Sequence, residues 1–296
     1  MRTSRGVIAR LLAGVGLLAA IVCGRAALAT DSVTITVAGM NKQIYLPAVL
    51  AQQLGYFADE NLKVELLDTP TGIEAENELL AGGAGVETVA DLKGARVGVV
   101  GLGSSTEMLL RYIASRSGLT AAGYHPVPVG AGDDFVAAMT SGLIRAGMTT
   151  EPTVGRMLRT GEARILVDLR TPESSAAALG VTYPGASLYV ESSWLAAHRP
   201  AAQKLARAFV RTLRYIASHD AVELAALVPP AFWAGDKDLY IASLSAQKSV
   251  FSVDGRMPKD GPATMAGIFT SLGANRGKVI DISRTYTDEF VDAAAH

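Results

Sequence analysis

Small hydroxyl-bearing residues stand between a predicted strand and a predicted helix. The strand is Val97 to Val100, the helix extends through Ala114, and Gly103-Ser104-Ser105-Thr106 joins them. A helix N-terminus presents unpaired N–H groups and partial positive charge, and hydroxyl groups add hydrogen-bond donors. The pattern therefore predicts that Gly103, Ser104, Ser105 and Thr106 contact a small anion. The structural alternative is that Ser104 or Ser105 only caps the helix.

The same turn partly matches a dinucleotide-binding fingerprint. Gly101 and Gly103 fit its first two glycines, but Thr106 stands at the third position. The next predicted strand, Tyr124 to Val129, ends without an acidic residue to hold a ribose, which disfavours nucleotide binding. The chain also lacks a nucleoside-triphosphate loop, a nucleophile elbow and a His-Glu-x-x-His zinc motif. We therefore expect no catalytic residue and no cofactor.

Further polar residues follow other predicted strands. Gln43 and Tyr45 follow the first strand, Thr71 the second, and Thr150 the last strand of the second α/β unit. In open α/β sheets, ligands bind beyond the carboxyl ends of the strands. Each of these residues also suits an ordinary turn or cap. Because they share one predicted sheet edge, all four are candidate ligand contacts.

Strands and helices alternate along most of the chain, which predicts parallel sheets covered by helices. The predicted strands are 33–38, 62–67, 97–100, 124–129, 144–149 and 186–190, and the predicted helices start near Pro47, cover 73–80 and 134–140, and begin again near Pro200. The pattern of a glycine-led helix at 72–82 recurs faintly at 132–142, but only the second copy is followed by a predicted strand. This faint repeat predicts that the first unit lacks a strand.

Composition and charge exclude several classes of protein. A net charge of −1 over 296 residues gives no electrostatic reason to bind nucleic acid. No two of the four histidines have the close helical spacing of a metal-binding pair, so we expect no metal site. Lys204, Arg207, Arg211 and Arg214 form a basic stripe on the predicted C-terminal helix, which is either a docking surface or a solvated helix face.

Residues 1–29 have the layout of a secretory signal peptide. Basic residues precede an apolar run from Leu11 to Val22, and Ala27-Leu28-Ala29 supplies a cleavage site. The run is shorter than the about 20 residues that a membrane-spanning helix needs. We expect cleavage after Ala29 and a periplasmic or otherwise extracytoplasmic protein that meets the membrane only through a transporter. Lipid attachment at Cys23, the only cysteine, is disfavoured because bulky residues precede it.

Several motifs, in order, resemble the substrate-binding proteins of nitrate, sulfonate, taurine and bicarbonate-type ABC transporters. The matching segments are Tyr45-Leu46-Pro47-Ala48, Gly55-Tyr56-Phe57, Asp91-Leu92-Lys93-Gly94, Gly103-Ser104-Ser105-Thr106, Glu151-Pro152 and Leu188-Tyr189-Val190. The resemblance implies an α/β, two-lobed periplasmic-binding-protein-like fold of type II, the Venus-flytrap architecture. It also implies that Ser104, Ser105 and Thr106, together with Gln43, Tyr45 and Thr71, contact the ligand.

The resemblance further implies how the chain is divided and what it binds. Residues 30–90 together with 187–296 would form lobe one, and residues 91–186 lobe two. A small anionic solute would bind in the cleft between the lobes, and the permease of an ABC importer would be the partner. In the family, a strand, a helix and a strand follow the counterpart of Leu79-Leu80-Ala81-Gly82, and here that stretch is absent. We therefore expect lobe one to lack a strand-helix-strand unit between Gly82 and Val89.

Two other functions stay open. Thiamine-pyrimidine precursor synthases resemble these binding proteins in architecture, so the chain could be such an enzyme. It could also be a sensor module that presents a bound ligand to a membrane receptor. Export and the lack of cysteine after residue 29 favour a non-enzymatic binding protein over a cysteine-dependent cytosolic enzyme.

Overall fold

The computed structural model describes residues 30–69, 78–82, 85–180 and 183–294. Its strands are β1 (Asp31–Ala38), β2 (Leu62–Thr69), β3 (Glu78–Gly82), β4 (Arg96–Val99), β5 (His125–Pro128), β6 (Ala146–Thr149) and β7 (Ala163–Val167). Its helices are α1 (Leu46–Gln53), α2 (Tyr56–Asp59), α3 (Ser105–Arg116), α4 (Asp133–Thr140), α5 (Thr153–Thr160), α6 (Pro172–Leu179), α7 (Ser192–Ala197), α8 (Arg199–Ser218), α9 (Ala221–Leu227), α10 (Lys237–Gln247), α11 (Gly261–Ser271) and α12 (Glu289–Asp292). Short 3₁₀ helices occur at Gln43–Tyr45, Val89–Leu92, Pro230–Trp233, Lys248–Val250 and Ile282–Arg284.

The first sheet has two parallel strands within the described ranges. β1 pairs with β2 in a regular register that runs from Asp31 opposite Leu62 to Ala38 opposite Thr69. Alternate residues of each strand point inward, and Ile35 and Val37 pack with residues of α1 and α8 in one apolar cluster. The opposite face of the sheet is exposed. This sheet is therefore covered by helices on one side only.

The second sheet has five strands in the order β5-β4-β6-β3-β7. β4 is parallel to both β5 and β6, and β3 is antiparallel to both β6 and β7. The carboxyl ends of β4, β5, β6 and β7 consequently lie at one edge. An apolar core that includes Leu79, Leu109 and Met148 lies between this sheet and helices α3 and α6. Together the two sheets and their helices form the α/β, two-lobed, periplasmic-binding-protein-like fold that the sequence predicted.

The prediction of a helix over residues 73–80 is wrong for residues 78–80, the part of it that the structure describes, because Glu78–Gly82 is strand β3. Leu79 and Leu80 are both fully buried, since β3 lies inside the sheet and is covered on both faces. A short apolar run that is buried on both faces has no alternating pattern, so periodicity cannot distinguish a strand from a helix there. Residues 78–82 therefore differ in structure from the helix at 133–140 with which the sequence paired them.

This strand also moves the expected lobe boundary. β3 belongs to the five-stranded sheet, whereas residues 78–90 were assigned to lobe one from the sequence. That a strand-helix-strand unit is missing from lobe one between Gly82 and Val89 stays a prediction. The described part of lobe one supplies a sheet of two strands, against five in the other sheet. Thr71 and the predicted signal peptide lie outside the described residues.

Two expectations for the C-terminal third also change. The strand predicted over 186–190 is absent, and these residues form an exposed coil. Three of the four basic residues in the stripe on α8 form ion pairs within the chain itself. Lys204 Nζ lies 2.7 Å from Asp31 Oδ2, and Arg207 and Arg211 pair in the same way with acidic residues of α2 and the turn that follows it. In the part of the chain that the structure describes, no helix is both long and apolar enough to cross a bilayer.

Candidate functional site

Three helices begin at the carboxyl edge of the second sheet. α3 follows β4, α4 follows β5 and α5 follows β6, and these three strands are neighbours. The N-terminus of each helix carries partial positive charge and N–H groups without an intrahelical partner. Open α/β sheets bind their ligands beyond this edge. The edge is therefore the candidate site, and it includes the predicted residues Gly103 to Thr106 and Thr150.

The hydroxyl groups at the start of α3 bond to one another and to the preceding loop. Ser104 caps α3, since its Oγ accepts a hydrogen bond from the Glu107 N–H at 3.4 Å and donates one to the Gly101 carbonyl at 2.6 Å. Thr106 Oγ1 lies 2.6 Å from Ser104 Oγ and accepts a hydrogen bond from the Val100 N–H at 3.0 Å. These hydroxyl groups fix the shape of the turn. The N–H groups of the first helical turn are then the donors that this helix end offers an anion.

A carboxylate of the chain itself already lies at this helix end. Glu107, in the first turn of α3, accepts a hydrogen bond from the Gly103 N–H at 2.6 Å. Gly103 has a φ of +80°, a conformation that favours glycine, so its N–H can point toward that carboxylate. An acidic group in the first turn is stabilised by the helix dipole. A bound anion would compete with Glu107 for the same positive end.

Buried threonine hydroxyl groups face the same edge from β6. Thr149 ends β6 and Thr150 follows it, and they are 0% and 2% exposed. Neither Oγ1 has a hydrogen-bond partner in the structure. Leaving a buried hydroxyl unpaired costs about 1–3 kcal/mol, and native proteins leave few such groups. Two buried hydroxyl groups without a hydrogen-bond partner therefore lie where β6 ends, at the edge of the sheet where α3, α4 and α5 begin.

Glu151 follows Thr149 and Thr150 and is a third buried polar residue at the end of β6. Its Oε2 accepts a hydrogen bond from the Gly155 N–H at 2.9 Å, while its Oε1 has no partner. Burial raises the pKa of this carboxyl group, and the Gly155 N–H opposes that shift by favouring the charged form. Ser243 Oγ, on α10, lies beside the carboxylate and also opposes the rise in its pKa. Glu151 thus joins the end of β6 to the C-terminal helices.

Gln43 and Tyr45 have different surroundings from the residues above. Gln43 is 1% exposed; its Nε2 donates to the Tyr240 carbonyl at 2.9 Å and its Oε1 accepts from Gln247 Nε2 at 2.6 Å. Its amide therefore ties the first 3₁₀ helix to α10. Tyr45 is half-buried and packs against the apolar cluster under the first sheet. For Gln43 and Tyr45, a role in ligand contact stays a prediction.

Two charged residues escaped the sequence analysis. Arg170 follows β7, and its guanidinium makes a two-point contact with Asp168, with Nε at 3.1 Å from Oδ1 and Nη2 at 2.8 Å from Oδ2. Because β7 ends at the same edge as β6, this pair flanks the candidate site. The sequence did not predict this position of Arg170 and Asp168, because β7 joins the sheet through the antiparallel strand β3, and the periodicity of the sequence did not identify β3 as a strand. Within the described ranges, no group of three or more His, Cys, Asp or Glu side chains is arranged to hold a metal ion.

Comparisons with known proteins agree with this fold. Residues 79–221 match the model of the NMT1/THI5 like family. A protein from Bordetella bronchiseptica RB50 is 28% identical over 89% of this chain and 96% of its own, with a TM-score of 0.80. The periplasmic aliphatic sulphonate binding protein SsuA from Escherichia coli is 17% identical over 87% of this chain and 92% of its own, with a TM-score of 0.66. The desulfurization enzyme DSZB is 15% identical over 90% of this chain and 99% of its own, with a TM-score of 0.58. No curated protein sequence matches.

The comparisons define the fold of this protein. It has the periplasmic-binding-protein-like fold, and in that fold it resembles the substrate-binding proteins of ABC transporters, as the sequence predicted. Residues 79–221 are similar to the NMT1/THI5 like family.

Proposed function

We propose that the protein is the extracytoplasmic solute-binding component of an ABC importer and that it binds a small anionic solute of the sulfonate or nitrate kind. The observation that carries this proposal is the pair of buried, unpartnered hydroxyl groups of Thr149 and Thr150 beside three helix N-termini. Hydroxyl and N–H groups are the donors that sulfonate and nitrate oxygens accept. The permease of the importer would be the partner.

The charges of the site favour a small solute with one singly charged anionic group. The helix ends supply partial positive charge, while Glu107 already contacts the N–H of Gly103. Arg170 is largely neutralised by Asp168. A polyphosphate would find too few cations here, whereas a sulfonate or a nitrate needs only a few donors. Ser104, Ser105 and Thr106 would contribute through the turn that they form, and Thr150 through its free hydroxyl.

The binding test uses variants that separate affinity from stability. Thr149→Val and Thr150→Val remove hydroxyl groups that have no partner, so the folded protein should lose little stability. If those groups bond to the solute, each change should weaken binding about tenfold, which corresponds to about 1.4 kcal/mol. Calorimetric titration with taurine, ethanesulfonate, methanesulfonate and nitrate measures this, and urea unfolding measures stability.

Thr212→Val is the matched control for these variants. Thr212 is also fully buried, but its hydroxyl donates to the Ala208 carbonyl at 2.8 Å within α8. This variant should lose stability and keep its affinity. Full affinity in the Thr149→Val/Thr150→Val double variant, or no binding of any of the four solutes by the natural chain, would contradict the proposal.

An enzymatic function is the second candidate, because the chain shares its fold with the desulfurization enzyme DSZB. The binding function predicts that a bound sulfonate is recovered unchanged after long incubation with the protein. Mass spectrometry of the recovered solute, with assays for released sulfite and sulfate, distinguishes the two, because water can cleave a sulfonate to an alcohol and sulfite or to a hydrocarbon and sulfate. Release of either anion in proportion to protein concentration would favour the enzyme.

A further inference from the structure

The outer edge of β1 has no strand beside it within the described ranges. In the described ranges β1 pairs on one side only, with β2, along all eight of its residues and without a bulge. A strand at the edge of a sheet presents a row of N–H and C=O groups that can pair with another strand. The proposed solute site lies at the second sheet, so this edge serves no part of that function.

The sequence of β1 lacks the features that usually protect such an edge. Proteins guard edge strands with proline, bulges or charged side chains. β1 contains no proline, and its only charged residue, Asp31, stands at its first position and is engaged by Lys204. β2 differs, because Lys63, Glu65 and Asp68 are distributed along it. The β1 edge is therefore the one open to pairing.

A strand-forming segment of the same chain has no partner. We call residues 186–190, Ala-Ser-Leu-Tyr-Val, the donor segment. It is exposed throughout, with Leu188 at 46%, Tyr189 at 89% and Val190 at 40% exposure. Tyrosine and valine favour strands, and the segment carries no charge or proline. It remains a coil because no strand of its own chain lies beside it in the described structure.

We propose that two copies of this chain form a dimer in which each donor segment pairs along the β1 edge of the other copy. Each chain carries one donor and one acceptor, so a two-fold exchange fills both edges and closes the assembly. Addition of a strand to an exposed sheet edge is a common mode of recognition in which main-chain hydrogen bonds supply much of the affinity. The exchange also covers Leu188 and Tyr189, which are otherwise in water.

The test measures the mass of the protein purified from cells that express the whole chain. Analytical ultracentrifugation over a hundredfold range of concentration should show a dimer at the upper end. Leu188→Pro removes one N–H from the donor segment and disfavours strand pairing, so it should weaken the dimer at least tenfold. Leu188→Ala keeps the backbone N–H and should retain most of the association. Because Leu188 makes no ladder bond within its own chain, neither change should alter the circular dichroism or the unfolding midpoint of the dilute, monomeric protein.

Val279→Pro is the matched control, because Val279 is also an exposed apolar coil residue, at 96% exposure. It should leave the dimer intact. A natural chain that stays monomeric at every concentration overturns the proposal. So does a Leu188→Pro variant that dimerises as well as the natural chain, or an open series of higher oligomers, since the exchange must close at two copies.

Discussion

Ser104 and Thr106 share a hydrogen bond of 2.6 Å between their side-chain hydroxyl groups, and this bond holds the turn that opens α3. Thr106 also accepts the Val100 N–H, so it links the end of β4 to the start of the helix. Both hydroxyl groups thereby contribute to the shape of the candidate site before any ligand arrives.

Thr106→Val is expected to destabilise the protein. The change leaves the Val100 N–H buried without its acceptor, which should lower the free energy of unfolding by about 1–3 kcal/mol. Thr106→Ser keeps the hydroxyl and should recover most of that loss. Urea unfolding of both variants measures the effect. Equal stability of the valine and serine variants would show that the hydroxyl does not hold the turn.

Glu107→Gln is expected to tighten binding of a small anion. The Glu107 carboxylate bonds to the Gly103 N–H at the same helix end that we assign to the solute, and removing its charge relieves the competition. Affinity for ethanesulfonate should rise severalfold in calorimetric titration at low salt. Glu173→Gln is the matched control, since Glu173 lies in the first turn of α6 and should leave affinity unchanged. Weaker binding by the Glu107 variant would instead make Glu107 part of the solute site.

Local signals in the sequence were sufficient to predict the parts of the fold that are determined locally. The strand, turn and helix around Ser104 were predicted within a few residues, because a glycine turn and a capping serine mark that helix start. The same holds for the helix after Pro200, since α8 has one apolar face. These signals come from neighbouring residues and do not depend on the rest of the chain.

The errors came from residues whose structure depends on distant partners. Leu79 and Leu80 lie in a strand covered on both faces, which removes the alternation that identifies a strand. Residues 186–190 have strand-forming side chains but no strand beside them, so they stay unpaired. The contact of Glu151 with α10 joins segments far apart in sequence. No local pattern shows which buried carboxylate will meet which helix.

The stability of the protein should depend on pH through Glu151. Burial raises the pKa of its carboxyl group above the usual value of about 4.3, so the folded state holds the proton more tightly than the unfolded state. The stabilisation that this group contributes to the folded state is then fully present at pH values below its pKa in the unfolded state. It is lost as pH rises through its pKa in the folded state. Glu151→Gln removes this titrating group, so the free energy of unfolding of the variant should depend less on pH in that range. Urea unfolding at closely spaced pH values from 4 upward measures both proteins, and identical slopes in the two would contradict the assignment.

The N-terminus of the exported protein is expected to be Thr30. The basic, apolar and Ala-Leu-Ala regions of residues 1–29 predict cleavage after Ala29. N-terminal sequencing and intact-mass spectrometry of protein recovered from the periplasm would show this start. Replacing Ala29 with a bulky residue should slow processing, whereas Cys23→Ser should have no effect. A lipid-modified N-terminus at Cys23 would overturn the expectation.

Gly155 and Ser243 should be energetically coupled, because α5 and α10 approach each other at these two residues. A Cβ atom at Gly155 would lie inside the van der Waals distance of Ser243 Oγ and 3.2 Å from Glu151 Oε2. Alanine normally stabilises a helix by about 0.5–1 kcal/mol relative to glycine, but the collision should reverse the sign here and cost about 1–3 kcal/mol.

Ser243→Ala removes the colliding Oγ, so Gly155→Ala should be much less costly in that background. A double-mutant cycle measured by urea unfolding gives the coupling between the two positions. Gly267→Ala is the matched control, since Gly267 lies in α11 with open space where its Cβ would be, and it should stabilise the protein. If Gly155→Ala has the same effect with and without Ser243→Ala, the two helices do not pack through this pair.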